Sequence, residues 1–181
     1  MSDRIVRASK FMSLVLRHRP ETIGLTLDAN GWADVSDLIA CSRRGNLPLT
    51  QELIDEVVET NDKKRFVFSE DGVRIRAAQG HSISVDLQMT PQEPPALLYH
   101  GTASRFVDSI RREGLRKGNR NHVHLSLDVA TATSVGQRHG RPVILTIQAG
   151  KMWEAGLLFY CSDNGVWLTE GVPLEYLEIP E

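Results

Sequence analysis

The sequence predicts an α+β protein in two parts, and three observations carry that prediction. Helical periodicity early in the chain gives way to a β-hairpin pattern. A proline-rich run interrupts the middle. Beyond it, short strand patterns alternate with helix starts. The interruption is Gln88-Met-Thr-Pro-Gln-Glu-Pro-Pro-Ala96, whose three prolines disfavour both helix and central strand. Residues 88–96 are therefore expected to link a domain of residues 1–87 to one of residues 97–181. Each half is long enough for a small domain.

In the first half, Ala8, Phe11, Met12 and Val15 recur at the spacing of one buried helical stripe, with Lys10, Ser13 and Arg17 on the opposite face. Pro20 stops that helix, and Asp28-Ala-Asn-Gly31 turns the chain before Trp32. A second helix suits Asp34–Cys41. Thr50 reads as the N-cap of a third over Gln51–Thr60, with Leu53, Ile54, Val57 and Val58 inward. Arg65–Phe68 and Gly72–Ala77 then form a hairpin around Glu70-Asp71-Gly72. Three helices followed by a hairpin is the order of a winged-helix module.

In the second half, Leu97–Tyr99 reads as a strand running into His100-Gly101-Thr102. Ser104 opens a helix through Arg112 that Gly114 closes. Val123–Leu127 is a short strand, and Asp128 caps a helix to about His139. Strand patterns follow at Val143–Ile147, Leu157–Cys161, Gly165–Thr169 and Leu174–Ile179. Five or six strands with two helices imply a split or mixed sheet.

Composition narrows the class. The chain has 181 residues, 41% hydrophobic and 24% charged, with a formal net charge of −2: an ordinary globular protein and no general nucleic-acid coat. No apolar stretch reaches the roughly 18–20 residues that span a bilayer, and no signal peptide is expected. Cys41 and Cys161 lack metal-ligand spacing and are expected as reduced thiols in the cytoplasm, without structural zinc. Charge is uneven, however. Residues 105–141 carry eight Lys/Arg against three Asp/Glu, whereas residues 152–181 carry six acids and no Lys or Arg. An anion site in the middle of the chain is compatible with the acidic total.

The residues that bear chemistry are mostly cations and histidines. Arg17-His18-Arg19 ends the first helix, where its charges are already accounted for by the helix dipole. Asp62-Lys-Lys-Arg65 suits a charged turn, and Arg138-His-Gly-Arg141 another helix end. Arg116-Lys-Gly-Asn-Arg120 is a basic glycine-containing loop suited to wrapping an anion. In His100-Gly101-Thr102, glycine lets a ligand approach the backbone while the flanking side chains offer hydrogen bonds. His122 and His124 share a strand face but have no third ligand at a convincing spacing, so no metal site is expected. Gln79-Gly80-His81-Ser82 joins polar groups to a flexible backbone. No Walker loop, GxGxxG, HExxH or GxSxG is present.

Taken together these strings resemble the NAD-dependent RNA (tRNA) 2′-phosphotransferases. The matching strings are Ser9-Lys10…Leu16-Arg17-His18, Leu27-Asp28…Gly31-Trp32, Asn61-Asp-Lys-Lys-Arg65-Phe66, Ile75-Arg-Ala-x-Gln79-Gly-His-Ser82, Tyr99-His-Gly-Thr102, Arg120-x-His-Val-His-Leu-Ser126 and Asn164-Gly-Val-Trp-Leu-Thr169. Seven strings in order span nearly the whole chain.

The resemblance implies a winged-helix lobe followed by an ADP-ribosyltransferase-like lobe, acting on NAD and on RNA bearing a 2′-phosphate; separately, the chain is expected as a monomer. It implies that the phosphate first displaces nicotinamide from NAD. Cyclisation then releases 2′-OH RNA and ADP-ribose 1″,2″-cyclic phosphate. Its catalytic set falls on Arg17, His18, Arg65 and Arg120. NAD contacts fall on His100, Gly101, Thr102, His124, Ser126 and Val166, and contacts to the RNA side on Lys10, Gln79, Gly80, His81 and Ser82. No metal is implied. Val166 stands where related transferases carry a glutamate base, which suits a nucleophile that is already an anion.

Two alternatives remain at this stage. One is an ADP-ribosyltransferase that caps nucleic-acid terminal phosphates. The other is a winged-helix nucleic-acid-binding regulator, disfavoured because the third helix presents Glu52, Asp55, Glu56 and Glu59 with no base among them.

Overall fold

The computed structural model describes residues 2–45, 47–61 and 63–180. The chain divides into two compact units, Met1–Gln88 and Met89–Glu181. Helices and small antiparallel sheets are mixed in both, an α+β protein as expected.

In the first unit, α1 (Asp3–Arg17) begins where Ser2 Oγ accepts the Ile5 N–H at 3.4 Å. It buries Ala8, Met12 and Val15 of the expected stripe, together with Ile5, Ser9 and Leu16, while Phe11 is only partly buried. The helix ends before Pro20, which opens a 3-10 turn over Pro20–Ile23. After the turn at Asp28–Gly31 come β1 (Ala33–Asp34) and α2 (Val35–Ser42). Thr50 caps α3 (Gln51–Glu59) by accepting the Leu53 N–H at 3.3 Å. The chain then forms β2 (Phe66–Phe68) and β3 (Arg74–Ala77).

β3 is the centre of a three-stranded sheet ordered β1-β3-β2, so the expected hairpin has a third strand. Two residues pairing Ala33 with Ile75 across some forty positions leave no local pattern to read. Leu16, Leu38, Ile54 and Ile75 are fully buried where the helices pack on the inner face of this sheet. Asp62, part of the expected charged turn, lies outside the described residues.

The second unit contains β4 (Leu98–Ala103), α4 (Val107–Glu113), β5 (Leu115–Arg116), β6 (Val123–Leu125), α5 (Val129–Gly136), β7 (Pro142–Ile147), α6 (Ala149–Glu154), β8 (Phe159–Cys161), β9 (Trp167–Thr169), β10 (Gly171–Val172) and β11 (Leu177–Glu178). The sheet orders are β11-β7-β4, β6-β9-β8 and β10-β5. A single antiparallel bridge, Tyr99 to Ser126, joins the strand that opens the unit to the chain just beyond β6.

Several details differ from expectation. The described residues hold eight strands and three helices here, more than the five or six and two expected. α6 is too short for a periodic signal, and β5 and β10 are two-residue strands defined only by each other, while β11 is the short core of the strand expected at Leu174–Ile179. Asp128 does cap α5, accepting the Thr131 N–H at 2.7 Å, but the helix stops at Gly136 and continues as a 3-10 turn over Gln137–His139. The proline-rich stretch has neither helix nor strand, and it is fastened within the second unit. The Gln92 N–H donates to the Phe159 carbonyl at 2.8 Å, and the Ala96 carbonyl accepts the Gly150 N–H at 3.1 Å.

α5 lies directly on β4. A Cβ at Gly101 would stand 1.7 Å from the Ala132 carbonyl oxygen, and one at Gly136 would stand 2.9 Å from that of Thr102. The glycine of His100-Gly101-Thr102 is therefore required by helix packing, a constraint separate from the expected approach of a ligand to its backbone. Its peptide is what remains for one. Tyr99 exchanges both backbone bonds with Ser126, on the edge away from β7. Strand alternation turns the Gly101 peptide groups to that same edge, beyond the bridge.

Candidate functional site

In the first unit the structure gathers the end of α1, the chain entering β2 and the chain leaving β3. Arg17 lies in the last turn of α1, half-buried, with its guanidinium 5.9 Å from the centroid of the Phe66 ring. Its Nη2 donates to the Arg65 carbonyl at 3.4 Å. That carbonyl also accepts the Ala78 N–H at 2.9 Å, extending the β2–β3 ladder by one step. Residues 17 and 65 are thus tied by fold, not by sequence proximity.

His18 is exposed, and its Nδ1 shares a 2.9 Å hydrogen bond with Ser82 Oγ. The Ser82 N–H donates to the Arg17 carbonyl at 3.0 Å, so one residue of the Gln79–Ser82 segment holds both members of the Arg17-His18 pair. Gly80, at φ +87°, brings its backbone against the Arg17 side chain, 3.6 Å from Nη1 to the position a Cβ would take. Gln79 is half-buried beside it. Lys10 is exposed, two turns before Arg17 on the same side of α1, about 10 Å along the axis.

His81 is different: 2% exposed, with no hydrogen-bond partner for Nε2 among the described residues. Burial above all, then the charges of Arg17, His18 and Arg76, pushes its pKa down to about 4, so the ring is neutral. The segment is expected on the RNA side, and within it the His81 side chain is buried while Gln79 and Gly80 are half-buried and Ser82 is exposed.

In the second unit, His100 and His124 define a pair of opposite polarity. His100 Nδ1 lies 2.9 Å from the His124 carbonyl, which can only accept, so Nδ1 carries the proton. Burial holds the His100 pKa below its ordinary value, and in the neutral ring Nε2 is left as an acceptor. Arg120 Nη1 donates to His124 Nδ1 at 3.4 Å, which puts the His124 proton on Nε2. That Nε2–H is buried and has no partner among the described residues. Burial, then Arg120 and His122, lowers the His124 pKa to about 3. One ring thus offers an acceptor and its neighbour a donor.

Thr102 is 7% exposed within β4, and Ser126 is half-buried at the bridge to Tyr99. Val166 leads into β9. Its N–H donates to Ser162 Oγ at 3.1 Å and its carbonyl accepts the Ser162 N–H at 3.0 Å, so the turn holding it is fixed at both ends. His122, expected to share a face with His124, is engaged elsewhere. It meets the Tyr160 ring edge-on at 5.6 Å and approaches Glu170 at 3.8 Å, and Glu170 also holds Lys117 Nζ at 2.6 Å. Among the described residues no group of three or more His, Cys, Asp or Glu is arranged to hold a metal.

Sequence reading placed Arg138 only at a helix end, although its charge acts on Arg120, and assigned no role to Asn61. The signal for Asn61 was its place at the end of an amphipathic helix, next to a run of cations.

The comparisons with known proteins agree with one another. The profile of the RNA 2′-phosphotransferase, Tpt1 / KptA family matches residues 3–171. A probable RNA 2′-phosphotransferase of Agrobacterium fabrum is 58% identical over 171 residues, covering 94% of this chain and 92% of its own. Proteins of the same description from Flavobacterium johnsoniae and Rhodopirellula baltica are each 56% identical. They align over 180 and 178 residues, with 98% of this chain covered in both cases and 98% and 97% of their own. No helix among the described residues is long and apolar enough to cross a membrane. With matches over nearly its whole length, this chain belongs to the RNA 2′-phosphotransferase family.

Proposed function

We propose that this protein removes a 2′-phosphate from RNA by transferring it to NAD. In this reading a phosphate oxygen bonds to the nicotinamide-ribose carbon as the bond to nicotinamide breaks. The neighbouring ribose hydroxyl then bonds to phosphorus as the RNA 2′-oxygen leaves and takes up a proton. The products are nicotinamide, RNA with a 2′-OH, and ADP-ribose 1″,2″-cyclic phosphate.

The observation that carries the reading is the convergence of Arg17, His18 and Arg65 in a chain of this family. Guanidinium is permanently charged and offers a planar donor fork that matches two phosphate oxygens. We assign anchoring of the phosphate to Arg17, and stabilisation of the charge that builds on phosphorus to Arg65 and Arg120. His18, oriented through Ser82, orients the phosphate or gives its proton to the departing RNA oxygen. Lys10, Gln79, Gly80 and Ser82 belong to the RNA side. His81, neutral behind them, leaves the cationic charge to the arginines.

For NAD the fit rests on the histidine pair. The Nε2 acceptor of His100 suits a ribose hydroxyl, and the buried Nε2–H of His124 is a donor awaiting a ligand acceptor. The Gly101 peptide edge suits a carboxamide; Thr102, Ser126 and Val166 complete the surround. NAD supplies the electrophilic carbon and carries the phosphate away. Val166 offers no base, which accords with an anionic nucleophile.

The order α1-β1-α2-α3-β2-β3 supports reading the first unit as a winged helix. The two three-stranded sheets bridged at Tyr99–Ser126 support an ADP-ribosyltransferase-like second unit. Free thiols at Cys41 and Cys161 accord with a cytoplasmic enzyme. The deciding experiment gives the protein an oligonucleotide with one internal 2′-phosphate, with and without NAD. NAD-dependent loss of the phosphate, with release of nicotinamide, is expected. Inertness toward internal and terminal phosphates alike would defeat the proposal.

A further inference from the structure

Residues 116–120 are all exposed, so no packed core sets the shape of the chain that carries Arg120. A Cβ at Gly118 would meet nothing within 4 Å. The loop is held at its two ends, and both ends rest on one short stretch. Thr169, the last residue of β9, pairs with Val123, and Gly171, the first of β10, pairs with Arg116. Glu170 stands between them. Its Oε2 accepts from Lys117 Nζ at 2.6 Å, and its Oε1 lies 3.8 Å from His122 Nε2. One carboxylate thus spans the first and last residues of the loop that the strand pairs leave open. The Lys117 carbonyl in turn accepts the Arg120 N–H at 3.2 Å.

Contacts therefore run from Glu170 through Lys117 to Arg120, whose Nη1 donates to His124 Nδ1. At the other end of the loop, the His122 ring is seated edge-on against Tyr160. We infer that Glu170 is a positioning residue, setting the Arg120 guanidinium by fixing both ends of its loop. Stability is not its task. With 69% of the Glu170 side chain and 42% of that of Lys117 exposed, the ion pair contributes little to folding. Its effect is on geometry. An exposed loop takes its conformation from a few such contacts, and losing one widens the range of positions its side chains visit.

The inference rests on the phosphotransferase reading for its consequence in catalysis, and the test separates the two. Glu170→Ala removes an exposed side chain, so a melting curve close to wild type is expected. Side-chain 15N relaxation should nonetheless show an Arg120 guanidinium that is ordered in wild type and more mobile in the variant. The 15N shift of His124 Nδ1 should move toward that of an unbonded acceptor, because its bond from Arg120 is made less often. Equal order with an unmoved shift would overturn the inference, whether or not the protein acts on a 2′-phosphate. In turnover, Glu170→Lys and Lys117→Glu should each lower kcat at saturating RNA by about fivefold. The two together should bring it back to within about twofold of wild type, since the pair is remade with its charges exchanged. A double variant no faster than either single one would also overturn the inference. Should wild-type protein leave internal 2′-phosphate untouched, the phosphotransferase reading falls, and the relaxation experiment still decides the positioning role.

Discussion

Arg120 donates from Nη1 to His124 Nδ1, so the cation of the basic loop determines which nitrogen of the histidine holds its proton. A guanidinium cannot accept, and the tautomer follows. Nitrogen-15 NMR of the imidazole should therefore show a neutral Nε2–H ring throughout the range of about pH 5 to 8 in which an ordinary histidine titrates. In Arg120→Ala the pKa should rise from about 3 while staying below the ordinary 6.5, because burial, the larger cause, remains. Titration near 6.5 in wild type would contradict the arrangement.

His81 makes a prediction about acid stability. Its folded pKa, about 4, lies below the ordinary 6.5, so the unfolded chain binds the proton more readily. The neutral ring's contribution to stability is complete above 6.5. It is lost as pH falls from 6.5 to about 4, at about 1.4 kcal/mol per pH unit. Urea unfolding followed by a probe in the first unit should show this slope, and a His81→Asn variant that folds should show less of it.

Gly101→Ala places a methyl group against the Ala132 carbonyl, a backbone atom that cannot rotate away. The second unit should lose about 3 kcal/mol or more. Calorimetry would register it, and a variant with wild-type melting would show that α5 sits farther from β4 than described.

Arg65→Ala and Arg120→Ala should each slow phosphate removal by on the order of 10²–10³-fold, the scale for losing one charge-stabilising donor. On the proposed two-step route ADP-ribosylated RNA should build up on a denaturing gel, since that route asks more of these charges in its second step than in its first. Ser82→Ala, which only releases His18, should cost less and leave no such intermediate. Normal turnover by both arginine variants would refute the assignment.

Much of the local structure was legible because it is written in neighbouring residues. The α1 stripe, the Thr50 and Asp128 caps and the stop at Pro20 depend on contacts within a few positions, and the structure has them where the pattern does. β1, β5 and β10 were not legible, because a two-residue strand is defined by a distant partner, whereas β11 falls within the strand pattern at Leu174–Ile179. The packing role of Gly101 was not legible for the same reason: the helix that lies over this glycine comes from about thirty positions further along the chain.

By itself the sequence determined the α+β class, several helix starts and the family, since seven short strings in order are specific where each one is not. Only the tertiary structure decided which polar atoms meet. It put the Arg65 carbonyl under Arg17, Ser82 on His18, Asn61 on the Arg65 guanidinium, and the His124 proton on Nε2. The physical reason is that hydrogen bonds of about 3 Å are set by packing between elements far apart in the chain. Residue types set which groups a site can offer, while their orientation and protonation belong to the folded arrangement.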